Sequence, residues 1–132
     1  MRIGLFLAPL LLPLAAGALS GCQRIFADTR GEFEAVDLKC VDAAIRQTAG
    51  VSAVDYHVTR EDNPPGVTHW WSFASVEPVS VSLTHDGRRW KYMNSVMVWG
   101  MPWTSQEMEK LSPVAVRIDA AISQRCGLTI PK

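Results

Sequence analysis

Asp86-Gly87 sits between two alternating runs and constrains the fold more than any other feature of this chain. Val79, Val81 and Leu83 alternate with Ser80, Ser82 and Thr84 on one side. A second run extends from residue 88 to about 98. An Asp-Gly pair between alternating apolar runs is a strong hairpin signal. A two-residue turn sets Arg88 opposite His85, Trp90 opposite Leu83 and Tyr92 opposite Val81. Apolar side chains then meet on one face, as register requires. Beyond Asn94 the alternation weakens.

Two further strands are expected upstream. Val54, Tyr56 and Val58 alternate with Asp55, His57 and Thr59. The run Asp62-Asn63-Pro64-Pro65-Gly66 is a turn. The next strand runs from 67 to 76 and is broken by Glu77-Pro78, since proline cannot sit in a central ladder. A helix is expected from the Asp37 cap to about Gln47, with Gly50 just beyond it. Its stripe is Leu38, Val41 and Ile45, with Ala44 beside it. Residues 99–103 read as an irregular aromatic loop. Thr104-Ser105-Gln106-Glu107 matches a capping box, with Trp103 and Met108 as a hydrophobic staple. Pro113 suits a first helical position. Val114, Ile118, Ala121 and Ile122 form the stripe of a last helix that Gly127 ends. Residues 23–34 show no period and read as a tether with a reach of roughly 20 Å. The expected fold is α+β: a two-layer sandwich with a four-stranded antiparallel meander and two helices on one face, in one domain over residues 36–132.

The N-terminal stretch carries targeting information. Met1-Arg2 is followed by sixteen uncharged residues, 3–18, rich in Leu and Ala. A membrane span needs about 20 apolar residues. This run is slightly shorter and is broken by Pro9, Pro13 and Gly17, and each proline costs about 3 kcal/mol inside a helix. The run reads instead as a secretory signal. It ends in Leu19-Ser20-Gly21-Cys22, which resembles the lipobox of bacterial lipoproteins. The resemblance implies a signal peptide over residues 1–21 and a lipid anchor and tether over 22–35. The Cys22 sulfur would carry a diacylglycerol and its new amino group an acyl chain such as palmitate. Two or more chains hold a protein to a bilayer stably. Gln23, in place of the Asp that favours the inner membrane in this family, implies the periplasmic face of the outer membrane.

With Cys22 assigned to lipid and the chain exported, Cys40 and Cys126 remain in an oxidising compartment. A disulfide between them is expected. Two buried free thiols are the alternative. No CxxC or HxxxH spacing points to a metal, and no cofactor is expected.

Removal of residues 1–21 leaves 111 residues and takes Arg2 away. Lys+Arg then falls from 13 to 12 against 13 Asp+Glu, a formal charge of −1. That balance offers nothing to hold phosphates, so no nucleic-acid partner is expected. No G-x-S-x-G, P-loop or HExxH occurs, and the acidic pair Glu61-Asp62 lies in a turn. The chain reads as a binding protein and not an enzyme. If Val58 pairs with Trp70, then Val54, Tyr56, Val58, Trp70 and Ala74 point inward. His57, Thr59, His69, Trp71 and Phe73 then point outward, with Lys91 and Met93 nearby. A shift of one residue reverses Trp70 against Trp71 and Phe73, and both registers stay open. His57 and His69 could approach diagonally, but no third metal ligand accompanies them.

The candidate contact surfaces are therefore the patch of Trp71, Phe73, His57, His69 and Met93, and the loop carrying Trp99 and Trp103. The expected partners are the membrane, through lipid on Cys22, and another envelope protein. In size, anchor and disulfide the chain resembles the broad group of exported inhibitor and immunity lipoproteins. A structural accessory of an outer-membrane or secretion assembly fits the same features. A carrier of a small apolar ligand between helices and sheet is a third reading.

Overall fold

The structure, a computed structural model, describes residues 21–74 and 78–131. The signal segment up to Ser20 and the expected strand break at Glu77 lie outside the described residues. Asp37 opens α1 (Leu38–Arg46): its Oδ1 accepts the backbone N–H groups of Lys39 and Cys40 at 3.0 and 3.2 Å. The expected stripe is the buried one, with Val41, Ala44 and Ile45 inaccessible to solvent.

Five antiparallel strands form the sheet: β1 (Gln23–Phe33), β2 (Val54–Asp62), β3 (Pro65–Phe73), β4 (Val79–His85) and β5 (Trp90–Gly100). Their spatial order is β1-β5-β4-β3-β2. Two helices follow, the single turn α2 (Met108–Leu111) and α3 (Pro113–Cys126). The α+β class and the antiparallel sheet are as expected; among the described residues the sheet has five strands where four were expected, and there are three helices rather than two.

The extra strand is the segment read as a tether. Gln23–Phe33 pairs with β5 along its whole length. Its inward set is Ile25, Ala27, Thr29, Gly31 and Phe33. Alanine, threonine and glycine are weak apolar markers, while apolar Phe26 sits on the outward set. The period of two was therefore present but masked. Residues 23–33, expected as a flexible tether, are therefore held in the sheet.

Two registers also differ from expectation. The connection between β4 and β5 has four residues, because His85 pairs with Trp90 and Leu83 with Tyr92. Asp86 Oδ1 accepts the backbone N–H groups of Arg88 and Arg89, both at 2.9 Å. These bonds hold its carboxyl below the ordinary carboxylate range. The side-chain turn takes in two more residues. A shift of two keeps every side chain on its face, so the apolar match survives. Between β2 and β3, Asp62 pairs with Pro65, and the connection is the two residues Asn63-Pro64. Val58 therefore pairs with His69, and Trp70 with His57. This is the one-residue shift, and it turns Trp71 and Phe73 inward.

The capping box does not form. Glu107 precedes α2 without a side-chain cap, and Ser105 Oγ accepts the Glu107 N–H at 3.2 Å. The true cap is Ser112, whose Oγ accepts the Ala115 N–H at 3.3 Å, with Pro113 at the first position of α3. Gly127 closes α3 in the left-handed conformation at φ 65°. Among the described residues the helices lie on one face. Ala115, Ile118 and Ile122 of α3 join the α1 stripe over Val79, Val81, Leu83, Val96 and Ile25. A Cys40–Cys126 disulfide ties α1 to α3 with a Cα separation of 5.8 Å.

A polar cluster is buried between α3 and the sheet. Asp119 accepts from Thr29 Oγ1 at 2.6 Å, Tyr92 Oη at 2.5 Å and Asn94 Nδ2 at 2.9 Å. Asn94 Nδ2 also donates to the Ala115 carbonyl at 2.9 Å, while its Oδ1 has no protein partner. Burial, with the Asp119 carboxylate beside it, pushes the Tyr92 hydroxyl well above the ordinary tyrosine range. A group whose folded pKa exceeds its unfolded value stabilises fully below the unfolded pKa, near 10. That contribution is lost as pH rises further. Tyr92→Phe should cost about 2 kcal/mol at neutral pH, the size of a hydrogen bond to a charged acceptor. The gap to wild type should narrow above about pH 10, as followed by urea unfolding across pH. A constant gap would show that Tyr92 ionisation is not linked to folding.

Candidate interaction surfaces

Among the described residues the helices leave one face of the five-stranded sheet bare. Alternation brings Asp55, His57 and Thr59 of β2, Thr68, Trp70 and Ser72 of β3, and Ser80, Ser82 and Thr84 of β4 to that face. Lys91, Met93, Ser95, Met97 and Trp99 of β5 and Arg24, Phe26, Asp28, Arg30 and Glu32 of β1 complete it. On this face the middle strand carries only small hydroxyl side chains, whereas Trp70 of β3 and Lys91 and Met93 of β5 are long. An open depression of about 650 Å³ over β1, β5 and β4 is lined by Arg30, Glu32, Ser82, Thr84, Lys91 and Met93, with Gly31, Tyr92 and Pro131. On its β3 side the Thr68 and Thr84 hydroxyls bond at 2.9 Å. On one flank His57 stacks on Trp70, with centroids 6.2 Å apart and rings 10° from parallel. Trp70 Nε1 donates to Thr59 Oγ1 at 3.2 Å.

The candidates divide between the faces. His57 and Met93 lie on the bare face, as expected, but on β2 and β5 with β3 and β4 between them; Lys91 stands near Met93 and not near His57. Trp71 is 1% exposed and belongs to the core. Phe73 is partly buried against that core. His69 also faces the helix side, because Leu83 is its neighbour in the ladder. His57 and His69 therefore emerge on opposite faces and cannot share a metal. Trp99 and Trp103 are exposed, and Cys22 is an exposed free thiol.

A second aromatic group lies on the helix side, beyond the reach of α1. Tyr56 shares a hydrogen bond with His69 Nδ1 at 2.7 Å, and its ring lies 5.2 Å from Trp71. Trp90 stands 5.9 Å from His69 and 4.8 Å from His85. Burial lowers the His69 pKa from its ordinary value, which favours the neutral ring. Tyr56 and Val58 point to the helix side as expected but remain exposed, since no helix covers edge strand β2. Phe26 is the exposed residue that the sequence reading missed. Its signal was the period of two in β1.

Comparison with known protein families, curated proteins and solved structures returned no match to this chain.

Proposed function

We propose that this protein is a lipid-anchored periplasmic binding protein, attached through Cys22 to the outer membrane and acting by protein–protein contact. An inhibitor or immunity-type role toward an envelope protein is the reading favoured here over a structural accessory of an assembly. The observation that carries it is the bare sheet face. Among the described residues the five-stranded sheet has helices on one side only, and its other side presents a broad surface with a depression over β1, β5 and β4. Arg30, Glu32, Lys91 and Met93 line the depression, and Trp70 and Met97 lie elsewhere on the same face. Aromatic, methionine and arginine side chains are enriched at protein interfaces. Cys22, exposed at the start of β1, supports the anchor by its position.

Two measurements test the reading. Mass spectrometry of the membrane-bound protein should find an N-terminal peptide that begins at Cys22 and carries acyl mass. Cys22→Ala should release the chain from membranes. Met93→Glu together with Lys91→Glu reverses the chemistry of the depression's lining without touching the core. Those changes should weaken partner retention from the organism's envelope extract at least about tenfold, the cost of roughly 1.4 kcal/mol at an interface. Retention equal to wild type, with folding intact, would place the contact elsewhere.

A further inference from the structure

Three side chains, Trp103 at 76%, Trp99 at 63% and Phe26 at 58%, are the most exposed large apolar residues among those described. All three lie toward one end of the molecule. Gln23 pairs with Gly100 and Arg24 with Trp99, so Trp99 is one ladder step from the residue that follows Cys22. Phe26 pairs with Met97 on the same face. Trp103 follows Gly100 by three residues, in a turn closed by Thr104 N–H donating to the Met101 carbonyl at 2.8 Å. Gly100 is needed there: a Cβ would lie 2.6 Å from Thr104 Oγ1 and 3.1 Å from Ile25 Cγ1. Arg24 lays its guanidinium over Trp99, 5.3 Å from the ring centroid.

The opposite end of the sheet is charged. Glu61, Asp62, Asp86, Arg88 and Arg89 are exposed there, roughly 35 Å away by the length of an eleven-residue strand.

We propose that the corner formed by Phe26, Trp99 and Trp103 rests on the bilayer that holds Cys22. This rests on the reading of Cys22 as the lipidated residue. The occupant follows from where the anchor is attached. Consecutive Cα atoms are about 3.8 Å apart, and β1 begins at the very next residue. Acyl chains on Cys22 therefore enter the membrane within roughly 15 Å of Trp99. A domain without a leash must meet the surface with whatever surrounds its attachment point. Here that is tryptophan, which favours the headgroup boundary, and an arginine whose apolar stem packs low while its charge stays among phosphates. The docked corner sets the strands away from the membrane and presents the charged end outward.

The test uses the full chain after its normal processing, reconstituted in phosphatidylcholine–phosphatidylglycerol vesicles whose acyl chains carry bromine. Wild-type tryptophan emission should be quenched. Trp99→Ser with Trp103→Ser should abolish the quenching, and circular dichroism should stay unchanged because both side chains are exposed. Trp70→Phe, on the same face but farther from Cys22, should leave the quenching intact. Acyl mass on Cys22 with unquenched emission overturns the docked corner and spares the anchor. A double variant still quenched like wild type overturns it too, as does concentration-dependent cross-linking between copies at Trp99. Absence of acyl mass overturns anchor and corner together.

Discussion

Replacing Cys40 and Cys126 together by serine should lower the free energy of unfolding by about 4–5 kcal/mol, the value of the chain-entropy model for a loop of this length. The bond joins residues 86 apart, nearly the whole folded part. It closes the first helix onto the last, and the five strands lie beside or between them in sequence. Cutting it leaves the native contacts in place, because Val41, Ile45, Ile118 and Ile122 still pack. The unfolded chain gains the freedom. The double variant should therefore also show a steeper dependence of stability on urea, since its unfolded state exposes more surface. Single domains hold about 5–15 kcal/mol in reserve, so the variant should sit near the edge of folding at physiological temperature. Equal midpoints for the double variant and the oxidised wild type would show that the bond adds nothing. Both cysteines are changed together so that neither is left to pair with Cys22.

Trp71→Ala should cost about 3–5 kcal/mol, the range for truncating a buried large aromatic side chain. Trp71 is 1% exposed and sits between Val81 and Tyr56 in the ladder. Its indole Nε1 donates to Asp42 Oδ1 at 2.9 Å, which ties β3 to α1. Burial alone would raise the Asp42 pKa. Hydrogen bonds from Trp71 and Arg46, with the Arg46 charge, outweigh it and hold the carboxyl below its ordinary range. Truncation thus opens a void and removes the side chain that orients α1. Trp71→Phe restores most of the volume and should recover more than half of the loss, leaving about the value of one hydrogen bond to a charged acceptor. Thermal and urea unfolding of both variants gives the comparison. A loss below about 1 kcal/mol for alanine would mean that the indole is not a core group. This outcome separates the two registers weighed for β3, because an outward Trp71 would tolerate the change.

The α1 cap at Asp37, the stripes of α1 and α3, Pro113 at a first turn, Gly127 at a helix end and the alternation of β4 are local signals. Each depends on neighbours within a few residues, and each appears in the structure where it was expected. The pairing of Cys40 with Cys126, expected on the reading of Cys22 as lipidated and the chain as exported, is present in the structure. The residues missed or misplaced depended on partners far along the chain. β1 turns alanine, threonine and glycine inward beside Ile25 and Phe33, so its apolar alternation is weak, and its pairing with β5 and its contacts with α2 and Asp119 come from far along the chain. The capping box at Thr104 does not form, because the Thr104 N–H closes a turn onto the Met101 carbonyl and α2 starts only at Met108.

The amino-acid sequence by itself determined which segments alternate and where α1 and α3 begin and end. Those are short-range consequences of side-chain shape and hydrogen-bonding capacity. Only the tertiary structure decided which face of β3 is inside and that residues 23–33 form an edge strand. A connection shorter by a single residue reverses every side chain on a strand, and nothing local distinguishes the two outcomes. The choice is made by the helices, which bury one set of side chains and leave the other in water.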